Sequence, residues 1–197
     1  MKVIECVQGT PEWQLARCGV PSASNFDKII TLDGKPSKQR EKYMFQLAGE
    51  RIIGKTEETY TNGAMQRGVE MEDEARKLYE FNSGNIVQQV GFCVDNGYGA
   101  SPDGLVGQDG GLEIKCPLLS TQVYYLLKNE LPSEYFQQVQ GNLLVTGRKW
   151  WDFVSYYPAI KPLIVRVTPE VSFQKALRIE LELFCEELDR ITNKLRG

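Results

Sequence analysis

The chain contains no histidine, and that absence excludes more chemistry than any other feature of its composition. Without imidazole there is no general base of the usual kind, no Ser-His or Cys-His nucleophile, and no nitrogen ligand for a transition metal. Hydrolysis would have to rest on carboxylates, lysines and hard cations. Cysteine is sparse as well: Cys6, Cys18, Cys93, Cys116 and Cys185 are odd in number, scattered and never in a CxxC pair. That pattern argues against a disulfide framework or zinc cluster and fits a reducing cytoplasm. No apolar run of about 18 residues is present to cross a membrane, and no basic start with an apolar stretch marks a secretion signal. Repeats, low-complexity tracts and long linkers are missing, so the 197 residues, 42% apolar, are expected to form a single domain over 1–197. A basic excess is also missing. The net charge of −3 speaks mildly against a nucleic-acid partner, although a local basic groove can coexist with an acidic exterior.

What is present divides by period. Residues 11–17 (PEWQLAR) predict a short helix with Pro11 in its first turn, and Ser22-Ala-Ser24 caps a second short helix reaching Ile30. Longer helices are predicted over 38–53 and 64–81, the latter ended by Asn82-Ser-Gly84, with a polar loop over 54–63 between them. The centre switches to strand: 86–94, then a hairpin of 101–106 and 111–116 around GQDGG. Helices follow over 118–128 and over 132–145, with Pro132 at a first turn. Strands return at 149–157 and 163–167, and Pro169 opens a last amphipathic helix to about Lys194. Helices on either side of a small central mixed sheet make the expected class α/β or α+β.

The segment SPDGLVGQDGGLEIKCP (101–117) is chemically specific. Alternation along a strand puts Glu113 and Lys115 on one face and Leu112, Ile114 and Cys116 on the other. With the turn near 107–111, Asp103 falls opposite Glu113 within a register or two. Two carboxylates and an ammonium converge. Two such acids repel, and a hard divalent cation relieves both repulsion and desolvation; Mg²⁺, which binds one or two carboxylates plus a substrate phosphate, is the natural occupant. Lys115 suits developing phosphorane charge or the attacking water, and the Ile114 backbone carbonyl would be a further ligand if the sheet splays there. An isolated Glu-x-Lys is more often a solvated pair on an edge strand; the Pro-Asp-(x)9-Glu-x-Lys spacing with apolar flanks is what sets this one apart.

The order SPDG then LEIKCP resembles the PD-(D/E)xK nuclease core, and further segments resemble one branch of it, the phage lambda exonuclease family of viral recombination exonucleases. EWQLARCGVPSAS (12–24) is similar to that family's Trp, Arg-x-Gly and Ala-Ser opening. RGVEMEDEARKLYEFNSG (67–84) is similar to its Gly-x3-Glu-x2-Ala helix, and EYFQQVQGNLLVTGRKWWDFVSY (134–156) to its glutamine-bearing helix and following strand. The resemblance implies a restriction-endonuclease-like core and metal ligation by Asp103 and Glu113, beside the Ile114 carbonyl read from the strand geometry. Lys115 would be the catalytic lysine, Glu72 would help hold the water shell of the metal site, and Gln138 would face it. Arg17, Ser24 and Ser101 would form a pocket for a 5′-terminal phosphate. It further implies two Mg²⁺ ions, with Mn²⁺ able to substitute, and a toroidal homotrimer threading duplex DNA. Such an enzyme would digest one strand 5′ to 3′ to leave a 3′ single-stranded tail. A single-strand annealing partner, action in the cytoplasm of a bacterial phage host and no membrane contact complete the expectation. The loop 54–63 and the tail after Glu170 match weakly.

Other readings use the same residues. An endonuclease or helicase-associated nuclease of the same fold would nick closed circles, and a degenerate, non-catalytic module would bind DNA ends without cutting; the presence of Asp103, Glu113 and Lys115 counts against the latter. The aromatic run Trp150, Trp151, Phe153, Tyr156 and Tyr157 reads as core plus interface before it reads as a base-stacking platform, and Trp13 also reads as core. Lys28, Lys35, Lys38, Arg40 and Lys42 form the densest basic stretch, either a DNA-backbone contact or a solvated face.

Overall fold

Residues 1–56 and 63–197 are described by the computed structural model. In chain order they form β1 (Lys2–Ile4), α1 (Pro11–Arg17), a 3-10 segment (Ala23–Lys28), α2 (Arg40–Ile53), α3 (Gly63–Ser83), β2 (Val87–Gln88), β3 (Phe92–Asp95), β4 (Tyr98–Ala100), β5 (Gly104–Val106) and β6 (Gly110–Lys115). Then come α4 (Leu119–Lys128), a 3-10 turn (Ser133–Tyr135), α5 (Phe136–Thr146), β7 (Trp150–Ser155), β8 (Leu163–Val167) and α6 (Val171–Arg196). The polar loop expected over 54–63 lies largely outside the described residues.

Helix ends follow local chemistry. Thr10 accepts from Trp13 N and Pro11 occupies the first turn of α1, where its missing N–H costs nothing. Glu170 caps α6 by accepting from Ser172 N and Phe173 N. Asn129 and Gly147 end α4 and α5 in left-handed conformation. The amphipathic α6 buries Phe173, Leu177, Leu181, Phe184 and Leu188 in the core that also contains Tyr43, Met44, Leu47 and Ala48 of α2. A fully buried side chain of this size contributes ~1.5–3 kcal/mol.

Two sheets form. The central one is mixed, in the order β2-β5-β6-β7-β8, with β6 and β7 parallel and the other pairs antiparallel. A second, antiparallel sheet of order β1-β3-β4 was not foreseen. The strand expected over 86–94 is in fact two, β2 and β3, belonging to different sheets. At the break a Cβ on Gly91 would come within 2.6 Å of both the Ile4 and Cys6 carbonyls, so the chain can pass there only as glycine. β4 was also missed, although Asn96-Gly97, with φ of 49° and 87°, is the turn signature that joins it to β3. The hairpin expected over 101–106 and 111–116 is β5 and β6, the first strand starting later at Gly104. Pro132 does not begin a helix: it precedes the 3-10 turn, and α5 starts at Phe136.

The layers place the site. The Leu112 and Ile114 face of β6 packs with Ala75 and Tyr79 of α3. Its other face turns toward α5, whose apolar residues Val139 and Leu143 join Trp151 and Phe153 in the main core. Trp151 explains the glycine pair in GQDGG: a Cβ on Gly111 would lie 2.2 Å from the Trp151 ring, and one on Gly110 2.1 Å from that of Trp150. Arg148 closes the β5–β6 turn, its guanidinium donating to the carbonyls of Gly107 (2.8 Å) and Gly110 (2.7 Å).

Candidate active site

The β5–β6 register, Gly104 opposite Leu112, sets Asp103 opposite Glu113 when continued by one residue, as the spacing predicts. Asp103 sits just before β5, where its Oδ2 accepts from Ile114 N at 2.5 Å. This bond shows that the Ile114 peptide edge faces the side where β5 has ended. Because the N–H and C=O of one strand residue point to the same neighbour, the Ile114 carbonyl is directed to that side too, toward Asp103.

Glu113 is almost wholly buried, at 1% exposure, and both of its oxygens are held. Oε1 accepts from Lys115 Nζ at 2.6 Å and from Gln138 Nε2 at 2.5 Å, while Oε2 accepts from Asn142 Nδ2 at 2.9 Å. Gln138 and Asn142 are four residues apart on α5 and so share a helix face. The sequence singled out Gln138 but not Asn142, whose only signal was that spacing. The neighbouring glutamines do other work: Gln137 is buried and donates to the Ile30 carbonyl, and Gln140 donates to that of Thr168. Lys115 lies 5.3 Å from the centre of the Tyr135 ring, which stacks on Phe153.

The electrostatics of the cluster are set by burial and by the facing of its acids. Burial first, and then the facing Glu113, push the Asp103 carboxyl well above the usual carboxylate range, against the pull of Lys115. Burial also raises Glu72 of α3; Arg76 opposes that shift, Glu113 adds to it, and Lys115 opposes it. Glu72 therefore shares the field of the hairpin site, and Arg76 Nη1 stands 3.7 Å from it. For Lys115, burial favours the neutral amine, but Glu113 and Asp103 outweigh it and hold the ammonium above the ordinary lysine value. The set fits a hard divalent ion: two facing carboxylates and a backbone carbonyl are oxygen donors of the kind Mg²⁺ takes, in the number it takes from protein. Among the described residues there is no cluster of three or more acidic, histidine or cysteine side chains at ligand spacing, so the remaining positions would fall to the carbonyl, water and substrate.

A second polar cluster adjoins the first. Arg17 Nη2 donates to Ser22 Oγ (3.2 Å) and Ser24 Oγ (3.4 Å), and the Asn25 amide donates to the same two hydroxyls. The Trp13 ring carries the Arg17 guanidinium at 4.2 Å, and Trp13 Nε1 donates to Ser101 Oγ at 3.0 Å. Arg17, Ser24 and Ser101 are thus joined through Trp13. Trp13 is not core as expected: it is only partly buried in a helix that buries no residue fully, and both polar contacts of its ring serve this cluster. Ser22 was likewise read only as part of a cap. The backbone beneath is clamped from α2, with Gly19 N donating to Glu50 Oε2 at 2.9 Å and Arg51 Nε donating to the Gly19 carbonyl at 2.7 Å. Burial lowers the Arg17 pKa, against the pull of Tyr43 and Glu50. Of the basic stretch 28–42, Lys35 pairs with Asp33 and Arg40 with Glu180. In the aromatic run, Trp151, Phe153 and Tyr156 are core, and Trp150 stacks under Arg166.

Residues 12–149 match the model of the YqaJ-like viral recombinase domain. The chain belongs to that family. The YqaJ-like match spans every site residue named above. Two solved structures are similar over nearly the whole length: the alkaline exonuclease LHK-Exo of Laribacter hongkongensis, at 35% identity and a TM-score of 0.86, covering 95% of this chain and 96% of that one, and the same protein in complex with dAMP, at a TM-score of 0.85. A phage-related exonuclease of Haemophilus somnus shares the fold at 15% identity and a TM-score of 0.69, covering 89% of this chain and 96% of that one. No curated protein matches the chain. These findings bear out the resemblance to the lambda exonuclease family and the PD-(D/E)xK core. The YqaJ-like chain is a nuclease, of the recombination exonuclease type.

Proposed function

We propose that the protein is a Mg²⁺-dependent exonuclease that digests one strand of duplex DNA from a 5′-phosphorylated end, in the 5′ to 3′ direction, leaving a 3′ single-stranded tail for recombination. The observation that carries this reading is the junction of the two clusters. Ser101 belongs to the arginine-hydroxyl pocket and Asp103 to the acidic site, and two residues of extended chain span no more than ~7 Å, the scale of one nucleotide step. A terminal phosphate monoester offers more charge and more acceptor oxygens than an internal diester, which suits the fork of Arg17 with Ser22, Ser24 and Ser101. With the end anchored there, the phosphodiester one step inward lies over Asp103, Glu113 and Lys115. The dAMP complex of LHK-Exo supports a nucleoside monophosphate as the product class.

Asp103, Glu113 and the Ile114 carbonyl would hold the ion, with Glu72 orienting water around it. When bound, Mg²⁺ supplies Lewis-acid neutralisation of charge at the scissile phosphate. Lys115 stays protonated and places a compact positive charge beside the oxygens on which negative charge develops. Gln138 holds Glu113 and keeps an amide at the mouth of the site. A second ion, a homotrimeric ring around the duplex, a single-strand annealing partner and action in a phage-host cytoplasm belong to the same proposal; a ring would explain how a chain of net charge −3 stays on DNA with few phosphate contacts.

The deciding experiment is digestion of linear duplex labelled at either end, with and without a 5′-phosphate, in Mg²⁺ and in EDTA. Loss of label from the phosphorylated 5′ end, abolished by EDTA and indifferent to 5′-phosphate in Arg17→Ala, is expected. Nicking of covalently closed circles at a comparable rate would discard end recognition in favour of an endonuclease.

A further inference from the structure

We infer that Asn142 is a positioning residue for the metal site, acting through Glu113; this rests on the proposed ion binding. A buried carboxylate must have donors at both oxygens or it costs stability and drifts in rotamer. At Glu113 the duty is unequal. Oε1 is shared by Lys115 and Gln138, both only partly buried, and so looks toward the open side of the cluster. Oε2 is given to Asn142, which is 1% exposed.

Asparagine is costly at so buried a place on a helix whose neighbours Val139, Leu143 and Val145 are apolar core, where an apolar residue would leave no polar group to satisfy. What the amide adds is a neutral donor at the deep oxygen, fixing the carboxylate plane without a charge that would compete with a cation. Its adjacent residue shows how firmly the helix is seated: a Cβ on Gly141 would lie 2.5 Å from the Phe26 ring, so α5 cannot slide to bring a different residue to Glu113. Asn142 thus presets which oxygen of Glu113 is turned outward.

The test is calorimetric titration of the intact protein with Mn²⁺ in the absence of DNA, comparing wild type with Asn142→Leu, which keeps the branched four-atom side chain and removes the donor. Affinity about 10-fold weaker is expected, the lower end of what losing a ligand's hydrogen-bond partner costs. Should the leucine variant fail to fold by circular dichroism, Asn142→Ala, which removes the donor without adding bulk, is read instead, with the same weakening expected and wild-type affinity overturning the role in the same way. Wild-type affinity in a folded Asn142→Leu would overturn the positioning role while leaving the metal site standing. Failure of wild type itself to bind Mn²⁺ would overturn the metal reading and this inference with it.

Discussion

Asp103 and Glu113 face each other across a strand pair with Lys115 paired to Glu113, and the balance among the three decides what each can do. Lys115 is held as an ammonium by the two acids, so in the proposed reaction it would serve as a fixed positive charge and not as a base. Lys115→Ala should lower kcat by ~10²–10³, the usual loss of a transition-state charge stabiliser, while DNA binding persists; single-turnover digestion beside a gel-shift assay would show it, and full activity would strike Lys115 from the mechanism. Asp103 gives a pH signature. Its carboxyl is raised in the folded, ion-free protein, so the folded state holds a proton there that the unfolded chain has already lost. Stability from that proton is present at low pH and falls as pH rises through the raised value. A divalent ion removes the penalty only where the acid would be ionised. The rise in melting temperature on adding Mg²⁺ should therefore be larger at mildly alkaline than at mildly acid pH, measured by differential scanning fluorimetry; the reverse order would show that the ion is not relieving these acids.

At the scale of elements, β6 is the part on which the site depends. Glu113 and Lys115 keep their place opposite Asp103 because Gly110 and Gly111 leave room for the rings of Trp150 and Trp151 against the start of the strand. Gly111→Ala should cost ~1–3 kcal/mol by overpacking, lowering the melting temperature by roughly 2–10 °C; an unchanged melting curve would mean that the Trp151 ring gives way freely. Much of this was legible beforehand. Alternation along LEIK, with a glycine-rich turn before it, led directly to the hairpin and to Asp103 opposite Glu113, because both depend on local period and short-range pairing. The three-stranded sheet was not legible, since β1 joins β3 across most of the first half of the chain and three residues carry no period of their own. Trp13 misled because a tryptophan near a helix start reads as core until its indole N–H is seen to reach Ser101. Asn142 was hidden among apolar neighbours on a helix that otherwise reads as packing.

For the molecule as a whole, no described helix is long and apolar enough to cross a membrane, and the exterior carries a slight acidic excess. A lone acidic enzyme would leave its polyanionic substrate after each cut, so the proposed ring has a direct check: sedimentation equilibrium should return three times the mass of the chain, and a monomer at micromolar concentration would remove the ring from the reading. Within the chain, α5 touches both clusters through adjacent residues, Gly141 against the 3-10 segment that follows Ser22 and Asn142 against Glu113. The two clusters are therefore geared to a single shaft. If these clusters are the phosphate seat and the cutting acids that we propose, a helix wedged against both fixes the length of each bite out of the strand.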